Sequence, residues 1–282
     1  MVAVIENDYK LISATPFAPN LGAEIRGVDL SRSMPNDQFA EIRDAFLKYQ
    51  VLFFKEQAEI PPEQHIKFGK RFGDLHAHPA APTMEGHPEI FEIHATRNSK
   101  VANGEFWHSD VSCDETPPLG TMLQIHIAPP CGGDTMFSNM YSAYNTLSEP
   151  VKGMLEGLTA THESEHIYKG RYTDRGRNDA DIDCPMAVHP VVRTHPDTGR
   201  KALFVNRTFT TRINELSAVE SEAILEMLFS HAEHIDHQIR FRWSVNDMAF
   251  WDNRCCMHRA IWDYWPEERK GRRVTILGDR PR

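Results

Sequence analysis

Three side chains able to share one metal ion come from two places more than half the chain apart, and no other feature constrains the fold as much. They are His108 and Asp110 in Trp107-His108-Ser109-Asp110, and His258 in Trp251-Asp252-Asn253-Arg254-Cys255-Cys256-Met257-His258. Two imidazoles and a carboxylate cap one face of an octahedral ion and leave three adjacent positions open, the arrangement suited to non-haem Fe(II) and O2 chemistry. For them to meet, rigid elements must return to one place. His108 precedes the alternating run Thr121-Met122-Leu123-Gln124-Ile125-His126-Ile127, and His258 follows Met248-Ala249-Phe250-Trp251-Asp252, so strand ends can present both.

Spacing alone is weak support, because a chain with fifteen histidines gives about one His-x-Asp by chance, and this one has three. His195-Pro196-Asp197 runs into Thr198-Gly199, whose neighbours supply turn backbone angles, and His234-Ile235-Asp236 follows the helical repeat Ile224, Leu225, Leu228, Phe229. Both read as structural. After His258 comes the basic run Glu268-Arg269-Lys270-Gly271-Arg272-Arg273, leading into Val274-Thr275-Ile276-Leu277. Alternate residues of a strand share a face, so Arg273 and Thr275 can point where His258 points. An arginine fork there would bind a carboxylate or sulfonate through paired, charge-assisted hydrogen bonds.

Short strands are predicted near Thr121 and at Val51–Phe54, Leu203–Val205, Ile239–Trp243, Met248–Trp251 and Val274–Leu277. A first helix, capped by Asn36 or Asp37, turns Phe39, Ile42, Ala45 and Phe46 inward; a second covers about Glu63 to Phe72. A third begins near Ser148 with Val151, Met154, Leu155 and Leu158 inward, and the capping box Ser217-Ala218-Val219-Glu220 opens a fourth through Phe229. The pattern implies a mainly β domain with flanking helices (α+β), two sheets packed as a double-stranded β-helix of jelly-roll type. Residues 1–282 read as one catalytic domain, with polar loop inserts near 79–105 and 163–188. One or both inserts are expected to close over bound substrate.

Collinear with these features are Leu21-Gly22-Ala23-Glu24-Ile25-Arg26-Gly27-Val28-Asp29-Leu30, Arg71-Phe72-Gly73-Asp74-Leu75-His76-Ala77-His78-Pro79, Gly132-Gly133-Asp134-Thr135 and His189-Pro190-Val191-Val192-Arg193-Thr194-His195-Pro196. Together with the C-terminal block, they make the sequence resemble the Fe(II)/2-oxoglutarate-dependent dioxygenases of the taurine dioxygenase and 2,4-dichlorophenoxyacetate dioxygenase family. The resemblance implies a jelly-roll fold, with His108, Asp110 and His258 as iron ligands. It also implies that Thr135 and Arg269 grip the distal carboxylate of 2-oxoglutarate, and that His78, Arg273, Phe209 and Trp107 surround the substrate. Where the taurine enzyme has a tyrosine, an asparagine and a serine, this chain has Ala81, Gly104 and Ile167. Losing polar partners for a buried ammonium is costly, so a larger, less polar anion than taurine is expected: an alkyl or aryl sulfonate, a sulfate ester or an aryloxyalkanoate.

With O2, such an enzyme would hydroxylate the carbon next to the heteroatom, giving succinate, CO2 and a carbonyl product. Asp110 argues against halogenase chemistry, which needs that carboxylate position vacant. A zinc hydrolase could use the same three ligands, but gives no reason for Arg269 and Thr135. A non-catalytic jelly-roll binding protein would need no open coordination site.

Composition agrees. The formal charge of −9 over 282 residues disfavours nucleic acid or an anionic membrane as partners, leaving the arginines as a local positive site. No basic, apolar leader or membrane-length run is present, so a cytoplasmic location is expected, and family likeness implies a dimer or tetramer. Five cysteines with irregular spacing make no disulfide framework. Adjacent Cys255 and Cys256 read as structural, since thiolates favour zinc and neighbours on an extended chain point apart.

Overall fold

The computed structural model describes residues 8–77, 83–100, 103–171 and 182–282. Its order is β1 (Ser13–Pro16), β2 (Ala23–Arg26), α1 (Asn36–Tyr49), β3 (Val51–Phe54), α2 (Pro62–Lys70), β4 (Leu75–His76), β5 (Thr83–Met84), β6 (His87–Ala95), β7 (Gly120–Ile127) and β8 (Thr135–Asn139). There follow α3 (Met140–Thr146), α4 (Glu149–Leu155), β9 (Thr159–Glu163), α5 (Glu165–Tyr168), β10 (Met186–Pro190), β11 (Val192–Thr194), β12 (Lys201–Leu203) and β13 (Thr210–Ile213). The chain closes with α6 (Ala218–Ala232), β14 (Gln238–Phe241), β15 (Met248–Asp252), β16 (Cys256–Ala260) and β17 (Arg269–Ile276). A large sheet runs β1-β2-β3-β15-β7-β17-β6-β5, with β4 also on β17, and faces a smaller β14-β8-β16 sheet.

Both faces of the large sheet are covered, which explains why Val51-Leu52-Phe53-Phe54 is apolar throughout instead of alternating. Val51 and Phe53 point toward the small sheet, into a core with Phe137, Phe241 and Trp251; Leu52 and Phe54 point the other way, into a second core with Ile42, Ala45 and Phe46 of α1. Stacked rings lock each layer, Phe53 on Phe241 at 4.0 Å and Phe46 on Phe250 at 3.9 Å. Such pairs contribute roughly 0.5–1.5 kcal/mol beyond burial. The two-layer β architecture agrees with the jelly-roll expectation.

The α6 capping box is present: Ser217 N–H donates to Glu220 Oε2 at 3.0 Å and Ser217 Oγ accepts from Glu220 N–H. Elsewhere the expectations need correction. No side chain caps α1; it starts after Pro35, whose fixed backbone angle leads into the helix without Asn36 or Asp37 as cap. Met154 of α4 is exposed, because this helix of two turns docks through Leu155. The stretch 79–105 is not a loop insert throughout, since β5 and the nine-residue β6 lie in it, β6 hydrogen-bonded to β17. Its Pro- and His-rich composition hid a strand that exists through its partner. Within 163–188, α5 and the start of β10 are ordered elements, and residues 172–181 lie outside the described part, as do 79–82 and 101–102.

Candidate active site

His108 and His258 are held across from each other by main-chain bonds. His108 N–H donates to His258 O at 3.1 Å and His258 N–H to His108 O at 2.8 Å. Their rings stand 4.2 Å apart, and their Nε2 atoms lie 3.7 and 3.9 Å from Asp110 Oδ1. The three donor atoms fall within 4.8 Å of one another, and all three residues are largely buried. His108 Nδ1–H donates to Phe106 O at 2.7 Å, which turns an Nε2 lone pair inward, the tautomer a metal requires. Burial, then His108, keeps His258 neutral well below the usual histidine range. Burial alone would raise the Asp110 carboxyl, but Arg273, His258 and His108 outweigh it and hold it ionised, well below the usual carboxylate range. Neutral imidazoles and a carboxylate are the forms that ligate a cation.

A second candidate set, His195, Asp252 and Cys255, is also buried and close-set. Its atoms are committed. His195 Nδ1 accepts from the Asp197 and Thr198 N–H groups, each at 3.2 Å, so its Nε2–H donates to Asp252 Oδ2 at 3.0 Å, while Arg254 grips both Asp252 oxygens at 2.9 and 2.7 Å. His234 caps the short turn that follows α6 through Asp236 N–H. Both spare His-x-Asp pairs are thus structural, as expected, and burial together with Cys255 pushes the Cys256 thiol up, so it stays protonated.

Thr135 opens β8 and Arg269 opens β17, and the two meet at Trp243, which sequence reasoning missed. The Trp243 Nε1–H donates to Thr135 Oγ1 at 2.9 Å, and the Arg269 guanidinium sits 5.6 Å from the indole ring. Since an indole N–H only donates, the Thr135 hydroxyl hydrogen is free for another acceptor. Arg269 Nε–H donates to Gly133 O at 3.2 Å, whereas its buried Nη2 has no partner among the described residues. Burial lowers the Arg269 pKa, the sign of a desolvated cation. A free hydroxyl donor beside an orphaned, buried guanidinium nitrogen fits a carboxylate.

The cavity on the open side of Asp110 spans about 560 Å³ of non-atom space, open solvent at its mouth included. Phe91, Val111, Ile167, Tyr168 and Phe209 give it apolar walls, and Arg273 reaches its floor, donating from Nη1 to Asp110 Oδ1 at 2.7 Å. Phe209 and Arg273, expected around the substrate, both line this cavity. Trp107 does not: it packs into the core between the sheets, away from the cavity wall, because its indole lies on the apolar side of the His108 segment. His78 and Ala81 lie outside the described residues. Glu105 and Arg171, unforeseen in the sequence, line the cavity and pair at 3.9 Å. Neither sits in a recognisable pattern; only adjacency to the two polar stretches could have flagged them.

Two histidines and one carboxylate that could hold a metal ion, in a jelly roll and with a buried hydroxyl and guanidinium close by, are the kind of site a metal-dependent oxygenase uses. The chain belongs to the taurine catabolism dioxygenase TauD, TfdA family, whose pattern matches residues 13–275. It is 33% identical over 94% of its length to the alpha-ketoglutarate-dependent sulfate ester dioxygenase of Pseudomonas putida, covering 89% of that protein. It is also 31% identical over 99% of its length to the alkylsulfatase of Acinetobacter baylyi, covering 89%. A taurine dioxygenase structure from Burkholderia xenovorans superposes with a TM-score of 0.82 at 34% identity, over 96% of this chain and 93% of that one. The chain is a 2-oxoglutarate-dependent dioxygenase, and the zinc-hydrolase alternative gives way to that membership. Among the described residues no helix is long and apolar enough to cross a membrane.

Proposed function

We propose that His108, Asp110 and His258 hold Fe(II), that Thr135 and Arg269 hold the distal carboxylate of 2-oxoglutarate, and that the substrate is a sulfate ester or sulfonate with an apolar body. The convergence of the three donor atoms beside a cavity with an arginine floor and apolar walls carries this reading. Bound iron, with 2-oxoglutarate and O2, supplies the oxidation that places a hydroxyl on carbon and leaves succinate and CO2. The protein's part is position and charge. Arg273 is set to receive the sulfo oxygens, which orients the carbon bearing the heteroatom toward the metal face. Phe91, Phe209 and Tyr168 exclude water and receive the alkyl or aryl body. A hydroxyl on that carbon makes the C–O or C–S bond labile, so the product collapses to a carbonyl compound and sulfate or sulfite.

Among the described residues, polar support for an ammonium is sparse: the lining carboxylate other than Asp110, Glu105, already faces Arg171. Taurine is therefore expected to be a poor substrate. A screen of substrate-dependent succinate formation across alkyl sulfates, alkyl and aryl sulfonates, aryloxyalkanoates and taurine tests this. The expected result is highest kcat/KM for a sulfur anion with a long or aromatic body. Comparable kcat/KM for taurine would remove the substrate assignment. Preference for aryloxyalkanoates would replace it with the carboxylate branch of the same chemistry. A homo-oligomer in a cytoplasmic setting completes the proposal, checked by sedimentation and by cell fractionation.

A further inference from the structure

Behind Asp110 lies a buried polar chain that the family likeness did not assign. The Trp251 Nε1–H donates to Asn253 Oδ1 at 3.0 Å, Asn253 Nδ2–H donates to Thr121 Oγ1 at 3.0 Å, and Thr121 Oγ1–H donates to Asp110 Oδ2 at 2.7 Å. All four residues are at least nine-tenths buried. The polarity of the chain is forced at its far end. An indole N–H can only donate, and the Asp110 main-chain N–H, which also reaches Asn253 Oδ1 at 3.3 Å, can only donate too. Two donors converging on one atom fix the amide orientation of Asn253. Its NH2 then faces Thr121, whose oxygen accepts, so the threonine hydrogen has one direction left, toward Asp110 Oδ2.

We propose that Asn253 and Thr121 are positioning residues that decide which Asp110 oxygen a metal receives. With Oδ2 occupied by the threonine hydroxyl, Oδ1 is the oxygen turned to His108 and His258 Nε2, at 3.7 and 3.9 Å, and it shares that side with the Arg273 Nη1–H that donates to it at 2.7 Å from the cavity floor. Asn253 also ties the loop itself down, since its carbonyl accepts from Ser109 Oγ at 2.7 Å. It lies in the turn between β15 and β16, just before the strand that carries His258, so one residue couples both halves of the centre. This inference rests on the reading that Asp110 is a metal ligand.

The experiment measures Mn(II) and anaerobic Fe(II) dissociation constants, with electron paramagnetic resonance of the Mn(II) form, for Thr121→Val, Thr121→Ser, Trp251→Phe and Asp110→Ala. Loss of an outer hydrogen-bond partner typically weakens metal binding about tenfold to hundredfold. Thr121→Val is expected to fall in that range with an altered Mn(II) spectrum, and Thr121→Ser to recover the wild-type constant. Trp251→Phe removes one of the two donors that orient the Asn253 amide and leaves the Asp110 N–H, so it should show the same loss in smaller measure. If Thr121→Val lowers only thermal stability and keeps wild-type metal affinity and spectrum, the inference is overturned. It is overturned equally if Thr121→Val does not fold and Trp251→Phe binds metal as wild type does. If Asp110→Ala itself binds metal normally, the proposed function fails first, which separates the two.

Discussion

Arg269 shows how much one side chain can be asked to do. Its Nε–H is satisfied by Gly133 O, its Nη2 is buried without a partner among the described residues, and the Thr135 hydroxyl accepts from Trp243. If these groups hold the distal carboxylate of 2-oxoglutarate, Arg269→Ala removes charge-assisted bonds that contribute about 1.5–3 kcal/mol each. The dissociation constant should then rise roughly tenfold to hundredfold, read from an anaerobic titration of the Fe(II) charge-transfer band. An unchanged constant would take the role away from Arg269. Gly104 makes the opposite point. Sequence comparison treats it as a polar partner lost, leaving room, but its φ of +77° and a Cβ that would stand 3.1 Å from His108 Cε1 give it a backbone reason. Gly104→Ala should lose about 1–2 kcal/mol of stability from the left-handed conformation and press on the His108 ring. A weaker metal dissociation constant with unchanged 2-oxoglutarate affinity would bear this out, and an unaltered one would show that the loop relaxes away.

Among elements, β17 organises the site. The basic run, read from sequence as leading into a strand at Val274, is part of the strand itself from Arg269 onward, paired with β6 on one side and β7 on the other. Arg269, Gly271 and Arg273 face inward and are buried, while Lys270 and Arg272 face out to Glu92 and Glu59 at 3.4 and 3.0 Å. A slip of one residue would exchange these sets, so register matters more here than elsewhere. Gly271 guards it: an added Cβ would meet Gln124 O at 2.7 Å and Ile125 Cδ1 at 2.8 Å. Gly271→Ala should lower stability by about 1–3 kcal/mol through overpacking, and should raise the KM for 2-oxoglutarate by moving Arg269. An unchanged melting temperature would refute the steric claim. This strand also marks the limit of what sequence shows. The His108, Asp110 and His258 cluster was legible because two imidazoles and a carboxylate are distinctive together, Arg269 and Thr135 stood out only through the family resemblance, and α1 and α6 were legible because apolar residues recur at helical spacing. β6 was not, since Pro88 and its charged neighbours favour a loop until β17 supplies hydrogen-bonding partners. Trp243, Thr121 and Asn253 were hidden for the same reason: each is an ordinary residue whose meaning comes from a neighbour distant in sequence.

At the scale of the whole molecule, one large sheet separates two cores, and the polar groups needed by the site are buried within that architecture instead of on its surface. The consequence is a set of histidines held neutral. Burial, then the neighbouring His126, pushes His65 down to about 3, and burial, then His189, does the same to His162. An unfolded histidine takes up a proton near pH 6.5. Between these values the unfolded chain binds protons that the folded chain refuses, so stability is complete above about pH 6.5 and falls as pH drops toward 3. The slope is about 1.4 kcal/mol per pH unit for each such histidine, or about 2 kcal/mol each between pH 7.5 and pH 5. The buried carboxylates of Asp110 and Asp252, held low by their cationic neighbours, act in the same direction, but only below about pH 4, where an unfolded carboxylate begins to protonate. The window from pH 7.5 to 5 therefore isolates the imidazoles. Urea unfolding at both pH values, for the wild type and for His162→Gln, reads the difference directly. The substitution loses the bond to Ser112 Oγ at 3.0 Å and lowers stability at both pH values, so the informative quantity is the pH dependence, which should shrink by about 2 kcal/mol. An equal pH dependence in both proteins would mean that His162 accepts a proton in the folded state, and that the core around it admits charge.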